Sequence, residues 1–131
     1  MREIKFKAKR LDNGEWVKGD LAHSLDGGLN IFGFTRENGV DGYSGVHLID
    51  PKTVCQFTGL KDCEGKEVWE GDVLSNVTDD SPDGTVVFKY GAFSLLAMNG
   101  RDFCVALTYL LSEKDSLKRF KVVGNKFDKE K

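Results

Sequence analysis

The chain has little cysteine, little proline and no long apolar run. Its three cysteines, Cys55, Cys63 and Cys104, include no C-x-x-C pair, so the sequence predicts reduced thiols and not a disulfide framework. No stretch approaches the roughly 18 apolar residues that a membrane-spanning helix needs. The opening MREIKFKAKRL alternates charged and apolar residues, where a signal peptide would have an apolar core. We therefore expect a cytoplasmic protein that does not enter a membrane.

Motifs for a cofactor or a metal are also missing. Glycines are concentrated between His23 and His47, but they form neither G-x-G-x-x-G nor G-K-[ST]. We interpret them as mobile hairpin loops around one short strand, NIFGF. His23, His47, Cys55 and Cys63 are separated by 23, 7 and 7 residues, which matches no zinc finger or ribbon. The sequence therefore predicts no metal site and no cofactor.

One pair of acidic residues resembles a catalytic pair of carboxylates. Glu70 and Asp72 flank Gly71, and paired carboxylates perform general acid–base work in many enzymes. Nothing else in the sequence looks like a nucleophile or an oxyanion partner for them. Two such residues also commonly hydrogen-bond the backbone of a turn or bulge. We predict that the protein is not an enzyme, with a hydrolase using Glu70 and Asp72 as a distant alternative.

The residue pattern is typical of short antiparallel strands. Residues 4–8, IKFKA, alternate apolar and lysine side chains, as a half-buried strand does. Turn signals follow every 8–12 residues, among them KDCEGK at 61–66, with Asp62 and Gly65 at turn-favouring positions, and SPDG at 81–84. Residues 67–77 are predicted as one strand with a bulge at Gly71, and residues 103–115 hold at most one short helix. This spacing predicts a mainly β fold, either an antiparallel barrel or a sandwich.

Charge is unevenly distributed along the chain. The first ten and last eighteen residues hold 12 of the 19 basic residues and 4 of the 21 acidic ones, so the ends carry +8 and residues 11–113 carry −10. Basic ends can bind an anionic partner, or they can simply protect edge strands. The nucleic-acid candidates on these strands are Lys5, Lys7, Lys9, Lys118, Arg119 and Lys121.

Aromatic residues also bear on nucleic-acid binding, since rings interleaved with lysine on a sheet face stack on single-stranded bases. On the first predicted strand, Phe6 lies on the face opposite to the lysines, which argues against a stacking platform there. We instead predict that the larger rings fill the core, namely Trp16, Trp69, Phe88, Tyr90 and Phe93.

Residues 50–74, DPKTVCQFTGLKDCEGKEVWEGDVL, resemble the signature of the YopX family of small phage and prophage proteins. Similar flanking pieces are IKFKA at 4–8, VVFKYGAF at 86–93 and VVGN at 122–125, so the resemblance covers nearly the whole chain. The signature residues to which we assign a structural role are Asp50, Pro51, Gln56, Phe57, Thr58, Gly59, Leu60, Asp62, Gly65, Trp69, Glu70, Gly71 and Asp72.

The resemblance implies one YopX-like domain over residues 1–131, folded as a small, partly open, SH3-like barrel with extra hairpins. It also implies action in a bacterial host cell during infection or lysogeny, but it carries over no activity and no binding residues. Strand edges and glycine-rich loops favour a protein-interaction module that binds an unidentified host or phage protein, or that forms a homo-oligomer. The alternative is a small-barrel nucleic-acid-binding protein that uses its basic amino- and carboxy-terminal strands.

Overall fold

The computed structural model describes residues 3–37, 39–78, 82–97, 104–110, 117 and 119–129. Within these ranges the strands pair antiparallel in two sheets, and helical structure is limited to single 3-10 turns of three or four residues. The mainly β, antiparallel fold predicted from the sequence is confirmed. The chain divides into two compact units, Met1–Gln56 and Phe57–Lys131. The single domain over residues 1–131 stays a prediction.

The first unit is an antiparallel sheet. Its strands are β1 (Phe6–Lys9), β2 (Trp16–His23), β3 (Leu29–Glu37), β4 (Val40–Leu48) and the beginning of β5 (Cys55–Lys61). They pair in the order β4-β3-β2-β1-β5. A 3-10 helix at Pro51–Thr53 leads into β5, and the Asp50 carboxylate caps it by accepting a hydrogen bond from the Lys52 amide at 3.0 Å.

One face of this sheet forms a core. Ala8, Ile31 and Ile49 are buried there, because period-two alternation brings apolar residues of successive strands to the same side. β2 and β3 lie close together at Gly19, where a Cβ would overlap the carbonyl oxygen of Phe32. The residues between the buried ones point to the opposite face.

The glycine-rich stretch between His23 and His47 differs from the sequence prediction. In place of loops around a short NIFGF strand, β3 and β4 are nine residues long and pair along their length. Gly33 lies opposite Gly45, and a side chain at Gly33 would collide with Ser44. Here the glycines permit close strand pairing, which the sequence pattern alone does not separate from loop flexibility.

The second unit contains the rest of β5 and six further strands. These are β6 (Glu67–Trp69), β7 (Asp72–Asn76), β8 (Pro82–Lys89), β9 (Ala92–Ala97), β10 (Cys104–Ala106) and β11 (Phe120–Asn125). β5 pairs with β6, and a separate sheet has the order β10-β9-β8-β7-β11. Short 3-10 helices follow β10 at Leu107–Leu110 and β11 at Lys126–Lys129. The buried core residues are Val68, Leu74, Val86, Leu95, Leu107 and Leu117.

Two local predictions in the second unit are wrong. Residues 67–77 do not form one bulged strand: Glu70 and Gly71 form a turn between β6 and β7. Gly71 has a φ of +87°, which glycine adopts without strain. The predicted SPDG turn is replaced at residues 82–84 by the start of β8, and Ser81 lies outside the described residues.

The sheets are open in the part of the chain that the structure describes. β4 in the first unit, and β10 and β11 in the second, each have one strand neighbour, whereas a closed barrel gives every strand two. This agrees with the partly open arrangement that was predicted. Among the same residues, no helix has the length and apolar composition to cross a bilayer.

Candidate functional site

Lysines and aromatic rings share the face of the first-unit sheet that lies opposite to its core. Directly opposed residues on paired strands point to the same side. Lys7 of β1 opposes Lys18 of β2. Two residues along β2, Asp20 opposes Phe32 of β3. We call this surface the lysine–aromatic face. Its lysines and rings are Lys5, Lys7, Lys9, Trp16, Lys18, Phe32, Phe34 and Tyr43, and it also carries Asp20.

Three rings of β3 and β4 form the aromatic half of this face. Tyr43 stacks on Phe32 with ring centroids 4.8 Å apart and an interplanar angle of 12°, and its ring lies 5.5 Å from that of Phe34. A bulge shifts the register after Gly33 and lets Tyr43 contact both rings. Phe32 and Phe34 are each 40% exposed and Tyr43 is 65% exposed. All three rings are therefore partly exposed to solvent.

The lysines of β1 and β2 form the other half. The ammonium groups of Lys7 and Lys9 lie 4.6 and 5.4 Å from the centroid of the Trp16 ring, within the range of a cation–π interaction. Lys5 is 3.2 Å from the Glu3 carboxylate. Positive charge is thus held against an indole ring beside the aromatic half.

Arg10, which follows β1, differs from these lysines because its charge is paired with a carboxylate. Its guanidinium donates two hydrogen bonds to the Asp12 carboxylate, at 3.0 and 2.7 Å. These bonds lower the pKa of Asp12 and raise that of Arg10. Because this pair is locally neutral, Arg10 adds little positive charge to the face, whose cations are its lysines.

A cleft of about 580 Å³ opens at one end of the lysine–aromatic face. Its walls combine rings, cations, hydroxyls and the carboxylates of Glu3 and Asp41, so it can both stack on a planar group and hydrogen-bond its edge. The residues that give it this character are Lys5, Lys18, Phe34, Thr35, Asp41 and Tyr43.

The six basic candidates fall in different places. Lys5, Lys7 and Lys9 lie on the lysine–aromatic face, together with Lys18, which the sequence pattern did not single out. Arg119 and Lys121 belong to the second unit, where Lys121 is on β11. Lys118 lies outside the described residues.

The pattern of β1 alone does not reveal the aromatic half of the face, because its rings lie on β3 and β4. Their signal was the alternation in NIFGF together with Tyr43, inside the stretch that was interpreted as loops. Of the rings predicted for the core, Trp69 is 3% exposed and Phe93 packs against the core of the second unit. Phe88 and Tyr90 are 55% and 91% exposed, so the prediction is wrong for them. Trp16 is half-buried on the lysine–aromatic face.

Within the acidic pair around Gly71, the side chain of Asp72 hydrogen-bonds neighbouring backbone and side-chain groups. Asp72 is 2% exposed, and its Oδ2 accepts a hydrogen bond from the Trp69 amide at 2.7 Å. Its Oδ1 accepts from Nδ2 of Asn125 at 2.9 Å, and the same amide group lies 3.4 Å from the Glu70 carbonyl oxygen. The Asp72 carboxylate therefore ties the β6–β7 turn to the end of β11.

Other signature residues also stabilise backbone geometry. The Asp62 carboxylate accepts hydrogen bonds from three backbone amides. Thr58 donates to the Val68 carbonyl at 2.7 Å, and the rings of Phe57 and Trp69 lie 5.4 Å apart. The signature glycines that adopt a positive φ are Gly59, Gly65 and Gly71.

The candidate zinc residues do not come together. Among the described residues, no three His, Cys, Asp or Glu side chains lie close enough to hold a metal ion. Cys55 is buried and Cys63 is exposed. Partial burial and the neighbouring carboxylates of Asp62 and Glu64 raise the pKa of the Cys63 thiol, which makes it a weaker nucleophile at neutral pH.

Fold and surface together define a small, mainly β protein with an exposed lysine–aromatic face. Comparison with protein families identifies it further: the chain matches the family described as YopX protein over residues 5–130 and belongs to that family. The match confirms the resemblance noted in the signature. No curated protein matches the chain.

Proposed function

We propose that this protein is a non-enzymatic phage or prophage accessory protein that binds single-stranded nucleic acid in the cytoplasm of a bacterial host. The lysine–aromatic face is the observation that carries the proposal. Membership of the YopX family supports the phage setting, through the resemblance to phage and prophage members. The engagement of Asp72 in a turn supports a protein without hydrolytic chemistry.

The face has the two components that a single strand requires. Each base that stacks on an aromatic ring contributes about 1–3 kcal/mol, with little dependence on base identity. Lysine ammonium groups neutralise phosphates and release condensed counterions. The rings of Phe34 and Tyr43 would receive bases, while Lys7 and Lys18 in the neighbouring strands would contact the backbone. A duplex hides the faces of its bases, so we expect weaker binding to double-stranded DNA.

Fluorescence anisotropy with a labelled oligothymidine of about twelve nucleotides tests the proposal. We expect saturable binding that weakens steeply as salt rises, and a loss of about tenfold or more in the double variant F34A/Y43A. The matched control is Tyr90→Ala, which removes an exposed ring from the second unit. Absence of binding at low salt, or equal loss in the control, would contradict the proposal.

A protein-interaction module is the second candidate, and one observation in the second unit favours it. Tyr90 and Gly91 form the turn of the β8–β9 hairpin, with φ values of +54° and +79°. A tyrosine in this left-handed conformation is strained, and its ring is 91% exposed. Phe88 on the same hairpin is 55% exposed. Exposed aromatic side chains commonly anchor protein partners.

This second candidate predicts a host or phage protein, or a second copy of the chain, bound through the hairpin. A tagged pull-down from host lysate, with and without nuclease, separates the two functions. A stoichiometric protein that survives nuclease and is lost with Tyr90→Asn would support the interaction module. The mass of the purified protein in solution tests the homo-oligomer.

A further inference from the structure

We propose that the hydrogen bond between Ser44 and His47 positions the ring of Tyr43 on the lysine–aromatic face. This inference rests on the proposed function, because it names the residues that hold a base-stacking ring in place. Oγ of Ser44 lies 2.8 Å from Nε2 of His47, which is three residues further along β4. Both are positioning residues, since they act on a bound strand only through Tyr43.

Ser44 is the extra residue of the bulge between β3 and β4. Gly33 opposes Gly45, and the next residue of β3, Phe34, opposes Tyr43. In regular pairing Ser44 would oppose Phe34, and Tyr43 would point to the other side of the sheet, because side chains alternate along a strand. The bulge therefore decides whether the Tyr43 ring lies on the lysine–aromatic face.

The hydrogen-bonded pair lies on the opposite side of the sheet from the rings. His47 opposes Ile31, a buried residue in the core of the first unit. Gly33 leaves room for the pair, because a Cβ there would collide with Oγ of Ser44 and lie 3.2 Å from Cδ2 of His47. Ser44 and His47 can therefore fix the bulge without covering the surface that would receive bases.

A side-chain contact of this kind stabilises the bulge. An extra residue interrupts the ladder of backbone hydrogen bonds, so the backbone is less constrained there than in regular pairing. Gly45, next to Ser44, has a φ of +103°, which glycine adopts without the strain that other residues would have. The hydrogen bond ties this irregular segment to His47, which is in regular pairing with β3.

Anisotropy with the oligothymidine strand separates positioning from charge. Ser44→Ala and His47→Ala should each weaken binding about three- to tenfold, the effect expected for one lost hydrogen bond. The slope of log affinity against log salt should not change, because the lysines of β1 and β2 remain. His47→Gln should lose less than His47→Ala, since its side-chain amide can replace Nε2 as the partner of the Ser44 hydroxyl.

Two controls accompany these variants. A strand of equal length made of abasic deoxyribose phosphates has no bases to stack, so the unmodified protein and Ser44→Ala should bind it equally. Ser24→Ala is the matched control, because Ser24 also donates a side-chain hydrogen bond in the first unit, to Oδ1 of Asp26 at 2.6 Å. This variant should keep the affinity for oligothymidine.

The position of Tyr43 is measured without nucleic acid by proton NMR. Its ring stacks on Phe32 with an interplanar angle of 12°, so the ring current of Phe32 should move the Tyr43 ring signals upfield. In Ser44→Ala these signals should move toward those of free tyrosine. Unchanged Tyr43 signals in this variant would overturn the inference and leave the proposed function standing.

The binding data give two further outcomes. Equal losses of affinity for oligothymidine and for the abasic strand in Ser44→Ala would overturn the inference, because the change would then not act through the rings. No binding of either strand by the unmodified protein would overturn the proposed function. A shift of the Tyr43 signals in Ser44→Ala would in that case support the positioning of the ring alone.

Discussion

The carboxylate of Asp62 accepts a hydrogen bond from the backbone amide of Val122, with 2.9 Å between Oδ2 and the nitrogen, across 60 residues of sequence. Its other oxygen, Oδ1, accepts from the amides of Glu64 and Lys66 at 2.9 and 2.8 Å. Asp62 is 1% exposed. One buried side chain thus closes the β5–β6 turn and attaches that turn to β11.

Replacing Asp62 with asparagine should destabilise the second unit. An amide can accept through its oxygen, but its NH2 group would face a backbone N–H that Oδ2 now satisfies. Leaving a buried donor unsatisfied costs about 1–3 kcal/mol. We expect the free energy of unfolding, measured by chemical denaturation, to fall by that amount. Glu64→Gln is the control, because only the backbone of this exposed residue takes part, and an equal loss there would contradict the explanation.

The sequence located this turn but not its long-range contact. Asp62 and Gly65 have the residue types of a tight turn, and turn chemistry is local, so the pattern predicted it. The hydrogen bond to Val122 depends on where β11 lies, and no local pattern contains that information. The same limit explains why one bulged strand was wrongly predicted around Gly71. Strand propensity runs through residues 67–77 without a break, although the chain passes from one sheet to the other between β6 and β7.

Gly19 and Gly124 should respond differently to alanine. A Cβ at Gly19 would overlap the Phe32 carbonyl oxygen, and backbone cannot move aside as a flexible side chain can. Overpacking of this kind costs about 1–3 kcal/mol. A Cβ added at Gly124 on β11 would meet no heavy atom within 4 Å, so Gly124→Ala should leave stability almost unchanged. Thermal unfolding of the two variants measures the difference, and similar melting temperatures would refute it.

Tyr90→Asn should stabilise the β8–β9 hairpin. Both central residues of its turn have positive φ, which is the type I′ geometry that Asn-Gly favours. Relief of the left-handed tyrosine should raise the free energy of unfolding by about 1 kcal/mol. Gly91→Ala should act in the opposite direction, because it adds a Cβ at a φ of +79°. A lower unfolding free energy for Tyr90→Asn would show that the ring stabilises the hairpin.

The lysine–aromatic face was only half visible in the sequence. The alternation of residues 4–8 is a local property of the sequence, and it predicts that Lys5, Lys7 and Lys9 lie on one side of the sheet. The rings of Phe34 and Tyr43 reach the same face through pairing across β2, β3 and β4 and through the bulge after Gly33. Inter-strand register and bulge position are non-local, so the pattern of one strand does not show which aromatic residues of other strands share its face.

Removing single lysine charges should show whether oligothymidine binds to the lysine–aromatic face or to the basic strand β11. For single strands, each neutralised phosphate contributes about 0.7 to the slope of log affinity against log salt. Lys7→Gln and Lys18→Gln should each weaken oligothymidine binding and reduce the slope by about that amount. Lys121→Gln on β11 should change neither quantity, and Lys66→Gln is a second charge-matched control at an exposed turn of the second unit. A slope that falls with Lys121→Gln and not with Lys7→Gln would assign binding to β11. That result would leave the exposed rings of β3 and β4 without a nucleic-acid role.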